Sequence, residues 1–150
     1  MTEEESQFTA ACNKAEKVAL RLIARAEQNR LGLTAKLEKR GFDAAVTKAV
    51  VSSLLDRNLL SDERYAELWL RSRLSSGKKL SPLWLRSSLA KRGIDINSSK
   101  KALKTVLDPE TELLLLEKYL GTSAQSRINK AQLKREGFSS AAIDMHNLSL

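Results

Sequence analysis

Reactive and structure-breaking residues are scarce in this chain. Its 1 Cys, Cys12, rules out an intramolecular disulfide and makes a reducing compartment the natural setting. Its 1 His, His146, sits far from Cys12 in sequence, so neither a Cys-His nucleophile pair nor a histidine-rich metal site is suggested. Aromatic residues make up 5% and there are 2 Pro, while Leu, Ala, Lys, Arg and Glu recur; this balance disfavours a β-sandwich and points to an all-α fold. No apolar run approaches the roughly 20 residues of a membrane span. The stretch Leu113 to Leu116 is closed by Glu112 and Glu117. The acidic start, Met1-Thr2-Glu3-Glu4-Glu5, lacks the basic-then-apolar order of a signal peptide, so a cytoplasmic location is expected. Gly77-Lys78-Lys79 has neither the preceding glycine nor the following Ser or Thr of a phosphate-binding loop. The nearest carboxylate pair, Asp62-Glu63, stands where a helix N-terminus favours negative charge. No catalytic site, cofactor or metal is therefore expected.

What the chain does have is positive charge, placed unevenly. Hydrophobic residues at 42% and charged residues at 29% suit a folded soluble protein, and the formal net charge is +8. From Lys17 to Leu107 there are 20 Lys and Arg against 8 Asp and Glu, a net +12, while residues 1 to 16 carry −3 and residues 108 to 150 carry −1. Such a surface attracts polyanions, chiefly nucleic acid, or acidic grooves on proteins. A well-solvated helical surface would carry the same charge.

The chain repeats a phrase three times. Lys36-Leu37-Glu38-Lys39-Arg40-Gly41-Phe42, Ser88-Leu89-Ala90-Lys91-Arg92-Gly93-Ile94 and Gln132-Leu133-Lys134-Arg135-Glu136-Gly137-Phe138 each place a leucine four residues before a glycine and an apolar residue after it. Each glycine stops a helix, the apolar residue packs back on it, and Asp43, Asp95 or Ser139 caps the next helix. Upstream, Asn29 and Ser81 each precede their glycine by twelve residues, and Ser81-Pro82 is a strong helix start; Ser126 is an approximate third counterpart. The spacing predicts a flexible acidic tail over 1–13 and three-helix units over 14–58, 59–107 and 108–150, the last short. Expected inward residues are Ala15, Val18, Ala19, Leu22, Ile23 and Ala26 in the first helix, then Leu33 and Leu37, then Val46, Val50, Leu54 and Leu55. The fourth helix presents Tyr65, Leu68, Trp69 and Ser72. A shorter helix from about Lys100 presents Leu103, Val106 and Leu107, and the one opening at Asp108-Pro109 presents Leu113, Leu116 and Leu120. Units this small have little core each, so stacking into an elongated array of three tandem, helix-turn-helix-like repeats is expected.

Candidate binding residues follow from the repeat. Lys39-Arg40 and Lys91-Arg92 end the second helices, where cations also favour the helix dipole. In the middle unit Arg71, Arg73, Lys78, Lys79 and Arg86 crowd around one loop, and several phosphate contacts of that kind give salt-sensitive, largely sequence-independent affinity. Trp69 lies in an apolar stripe and reads as core, as do Tyr65 and Phe42. Trp84, in the first turn after Ser81-Pro82, suits either core or base stacking.

The residues Ala19 to Arg25, Lys36 to Phe42, Leu59-Leu60-Ser61-Asp62-Glu63-Arg64-Tyr65-Ala66, and the Gly77 to Ile94 segment together resemble the RecX regulatory proteins, over about Val18 to Phe138. The chain departs from the family pattern in having Asn29 where a serine is usual, Gly32 where a glutamate is usual, and Ser61-Asp62 for Asp-Asp. The resemblance implies a cytoplasmic, non-enzymatic modulator that binds the RecA filament on single- or double-stranded DNA and suppresses its ATPase, strand exchange and co-protease activities; a monomer is expected because nothing in the sequence demands a dimer. On that implication the basic residues above supply the contact surface. A helix-turn-helix transcriptional regulator is the competing class. A helical scaffold for another acidic partner is a third.

Overall fold

The computed structural model describes residues 1–121 and 129–148. Among them there are nine α-helices and no strand: α1 (Glu3–Arg25), α2 (Arg30–Lys39), α3 (Ala44–Asp56), α4 (Asp62–Leu74), α5 (Pro82–Lys91), α6 (Ile96–Val106), α7 (Pro109–Leu120), α8 (Lys130–Arg135) and α9 (Ser140–Leu148). The fold is all-α, a tandem repeat of three-helix groups. Local chemistry sets most helix starts. Asn29, Asp43, Asp95 and Asp108 each accept the backbone N–H three residues on, and Ser61, Ser81 and Ser139 do the same through their hydroxyls. Ser126 lies outside the described residues; α8 is capped by Asn129, whose partner Gln132 completes a capping box.

The first thirteen residues, expected as a flexible tail, are instead half of a helix. Thr2 and Glu5 form a capping box that starts α1, and Ala11 and Cys12 continue its core-facing side. The acidic first turn also complements the helix dipole.

The chain divides into two compact units, Met1–Tyr65 with Arg92–Ile94, and Ala66–Lys91 with Asp95–Leu150. In the first unit, α1, α2 and α3 enclose Ala15, Ala19, Leu33, Leu37, Val46, Val50, Val51, Leu54 and Leu60. Ala15 and Ala19 are fully buried and small, which lets α3 approach α1 closely. Phe42 packs on this core half-buried. Polar contacts tie its ends: the buried Gln28 amide donates to the carbonyls of Leu22 and Ala26 while its oxygen accepts from Lys36 Nζ. Arg64 pairs with Glu27 at 2.8 Å and donates to the carbonyls of Asn58 and Leu59, clamping the turn between α3 and α4. Asp62 accepts the Arg30 N–H at 2.6 Å, so its charge serves the start of α2 as well as its own helix.

In the second unit the core comprises Ala66, Leu70, Leu80, Leu85, Leu89, Ala102, Val106, Leu115, Leu116, Leu133, Phe138, Ala142 and Ile143. Three expected faces shift. On α4 the buried row is Ala66 and Leu70, while Leu68, about 200° around the helix from each at 100° per residue, is 52% exposed. Helix α6 starts at Ile96, directly after the Asp95 cap, and buries Ser99, Ala102 and Val106, leaving Leu103 and Leu107 half-covered. Helix α7 buries Leu115 and Leu116, with Leu113 and Leu120 half-covered.

The repeat carries one recurring joint. Inside the first compact unit Gly93, at φ +86°, lies on Leu31, whose Cδ2 would stand 2.3 Å from a Cβ added to the glycine. Inside the second, Gly137, at φ +94°, lies on Pro82 and Leu83, with the Leu83 N–H donating to the Glu136 carbonyl at 2.9 Å. Leu31 and Leu83 both stand two residues after the cap of their helix. Each glycine corner thus seats on the start of the second helix one repeat earlier.

Candidate functional site

The basic segment of the second compact unit is built around the chain's exit from α4. Arg71 and Arg73 occupy the last turn. The hydroxyls of Ser75 and Ser76 then donate back to the Ser72 and Arg73 carbonyls, and Gly77, at φ +74°, turns the chain out of the helix. Leu80 and Ser81 are buried and fix the far end of the loop, leaving Lys78 and Lys79 exposed between two anchors. Ser81 accepts the Trp84 N–H and starts α5, which carries the exposed Arg86 and Lys91.

Aromatic rings organise part of this surface. Trp69 stacks on Trp84 with centroids 6.3 Å apart and planes inclined by 21°. The Arg73 guanidinium lies 5.3 Å from the Trp69 centroid, and its buried Nε has no hydrogen-bond partner. Trp69, expected in the core, is half-buried because Ala66 and Leu70 take the inward row and turn it toward α5. Trp84 is 46% exposed. Lys79 Nζ lies 5.1 Å over the Tyr119 ring, whose phenol is pushed above its ordinary pKa by burial and by Glu136. Asp108 is held below the usual carboxylate range, first by the Thr111 N–H and hydroxyl and then by the charge of Arg71.

The sequence-predicted basic residues thus fall into two sets. Arg71, Arg73, Lys78, Lys79, Arg86 and Lys91 belong to the second compact unit, and Lys39, Arg40 and Arg92 to the first. Lys39 and Arg40 are exposed at the end of α2, and Arg92 donates to the Tyr65 hydroxyl at 3.0 Å, so Tyr65 is a half-exposed partner rather than core. The ion pairs of Arg57 with Glu16, Arg64 with Glu27 and Lys130 with Asp144 use none of Lys39, Arg40, Lys78, Lys79, Arg86 and Lys91. Sequence reasoning missed the stacked tryptophan pair; Trp84 sits in the apolar first turn Pro82-Leu83-Trp84-Leu85, where nothing in the pattern marks it as exposed. No group of three or more potential metal ligands occurs among the described residues. Cys12 and His146 lie in different compact units, and burial, with Asp43 beside it, raises the Cys12 pKa. No helix of the described residues is long and apolar enough to cross a membrane.

Residues 61–103 match the family model described as RecX, second three-helix domain, a span that holds the α4 exit, its loop and α5. Over 140 residues the chain is 34% identical to the regulatory protein RecX of Treponema pallidum, covering 91% of this chain and 85% of that one. The chain belongs to the RecX family. A shorter match, 38% over 73 residues, links it to the regulatory protein RecX of Halorhodospira halophila, covering 49% of this chain and 45% of that one. Among solved structures, RecX from Lactobacillus salivarius superposes with a TM-score of 0.68 at 26% identity, covering 95% of this chain and 97% of that one. A second crystal structure, of a regulatory protein RecX, gives a TM-score of 0.71 at 19% identity over 98% and 78% of the two chains, a likeness of fold. The basic loop of this chain lies within the segment that matches the second three-helix domain.

Proposed function

We propose that the chain is a non-catalytic, monomeric, cytoplasmic regulator of the RecA recombinase, binding the RecA filament on DNA and suppressing its ATPase, strand exchange and co-protease activities. The observation that carries this reading is the cationic set around Gly77: Lys78, Lys79, Arg86 and Lys91 are exposed and outside the ion pairs found among the described residues. Cations left without carboxylate partners around a loop pinned at both ends suit an external polyanion, either the phosphates of filament DNA or acidic side chains of the filament. Arg71, whose charge also reaches Asp108, and Arg73, which lies against Trp69, adjoin this set. Lys39, Arg40 and Arg92 add contacts from the first compact unit. Family membership supplies the choice of RecA over other polyanions.

The test is the single-stranded-DNA-dependent ATPase of the cognate RecA, titrated with this protein at two salt concentrations, beside the K78E/K79E variant. The expected result is inhibition that weakens with salt and falls at least ten-fold in potency in the variant. Inhibition at amounts well below one molecule per RecA indicates capping or disassembly, and inhibition only near saturation indicates coating of the groove. Absence of inhibition refutes the reading; a sequence-selective footprint on duplex DNA without RecA then points to a transcriptional regulator.

A further inference from the structure

Trp84 is unusual among the exposed residues of the second compact unit. A large indole has 46% of its surface open, on the first turn of a capped helix, with its plane set by stacking on Trp69. Trp69 in turn lies beside the Arg73 guanidinium. A tryptophan free to bury itself gains considerable hydrophobic free energy, so an indole held open is a surface prepared for another flat, partly apolar group. Its neighbours specify the charge of that group. Lys78 and Lys79 lie in the loop immediately before the Ser81 cap and Arg86 lies two residues beyond Trp84, all three exposed. An aromatic face flanked by cations fits a nucleotide, base on the indole and phosphates on the Lys and Arg side chains. In a duplex the base faces are occupied by their own stacking, so the geometry favours a single strand.

We propose that Trp84 is a base-stacking platform for single-stranded nucleic acid, with Lys78, Lys79 and Arg86 holding the adjoining phosphates. This rests on the functional reading above and deepens it: the basic loop meets the nucleic acid of the filament, at its bases as well as its backbone. Stacking supplies the part of the affinity that salt does not remove, and the lysines the part that it does.

The experiment measures binding of a short labelled oligo(dT), and of a duplex of equal length, by the full chain and by W84A, W84F and K78E/K79E, without RecA. Oligo(dT) is expected to bind more tightly than the duplex. W84A lowers its affinity about ten-fold at an unchanged salt slope, W84F restores most of the loss, and K78E/K79E flattens the slope. In W69F, where Trp84 is the sole tryptophan, saturating oligo(dT) quenches the fluorescence. Wild-type affinity in W84A, absence of quenching, or equal binding of duplex and single strand overturns the proposal. RecA ATPase inhibition is measured in parallel. Intact inhibition with W84A binding oligo(dT) like wild type sinks the stacking platform alone, whereas the expected oligo(dT) behaviour without inhibition sinks the RecA reading alone.

Discussion

The joint between a glycine corner and a preceding helix start makes a graded prediction for three equivalent alanine substitutions. Gly41 and Gly137 share a φ of +94°, and Gly93 is at +86°. A side chain at positive φ costs about 1–2 kcal/mol wherever it stands. At Gly41 nothing lies within 4 Å of the added Cβ, so that strain is the whole effect. At Gly137 the Cβ meets the Leu83 backbone nitrogen at 2.9 Å and Pro82 Cβ at 3.1 Å, neither of which rotates away. Forced overpacking of that kind adds about 1–3 kcal/mol, for a total of about 2–5 kcal/mol. At Gly93 the collision is with Leu31, which is 58% exposed and can swing its tip aside, so the cost falls between the other two. Urea denaturation followed by far-UV circular dichroism ranks the variants, and amide exchange reports on the joint itself. In G137A the Leu83 N–H, bonded to the Glu136 carbonyl, should exchange faster, and in G93A the added substitution L31A should recover part of the loss, since the Cβ of residue 31 stays 3.0 Å from the new methyl. A G137A variant no less stable than G41A would refute the joint.

Two further outcomes are expected. Thr47 and Ser99 stand six residues after Gly41 and Gly93, and both hydroxyls are buried without a hydrogen-bond partner. An unsatisfied buried hydroxyl costs about 1–3 kcal/mol, so T47V and S99A should each leave the urea midpoint unchanged or raised, and a loss above about 1 kcal/mol would show that the hydroxyls are bonded. Asp108 titrates below its ordinary value in the folded chain because the Thr111 N–H and hydroxyl stabilise the carboxylate. A depressed folded pKa contributes stability that is present above the unfolded value, about pH 4, and lost as pH falls through the folded value. The variant D108N keeps a capping oxygen without the charge, so its urea midpoint should fall less than wild type between pH 6 and pH 3; an equal fall would exclude the linkage.

What could be read from the sequence was mostly local. Caps reach three residues and helix stops one or two, so Asn29, Asp43, Ser81, Asp95 and Asp108 and the glycine corners are legible as spacing alone. Which side of a helix meets the core is settled by its neighbours. On α4 the pattern of Tyr65, Leu68 and Trp69 is as regular as that of Ala66 and Leu70, and only packing chooses the second. That choice also turns Trp69 outward onto Trp84, so the positive charge of the candidate site was visible in the sequence and its aromatic part was not. Pairs distant in sequence, such as Glu27 with Arg64 and Arg30 with Asp62, leave no periodic trace. The Thr2 and Glu5 box did leave one, but amid polar residues it was outweighed by composition.

The glycine joint has a direction. A repeat offers a tongue at its corner and a groove at the start of its second helix, and the two are different surfaces, so copies engage in one order only, as floorboards do. Length can then change without loosening the boards. Cap and glycine are twelve residues apart in Asn29 to Gly41 and in Ser81 to Gly93 but eight in Asn129 to Gly137, and Gly137 is seated all the same. Splicing in or removing one whole repeat would leave each later corner a helix start to seat on, whereas a side chain at Gly137 would press on backbone that cannot move aside.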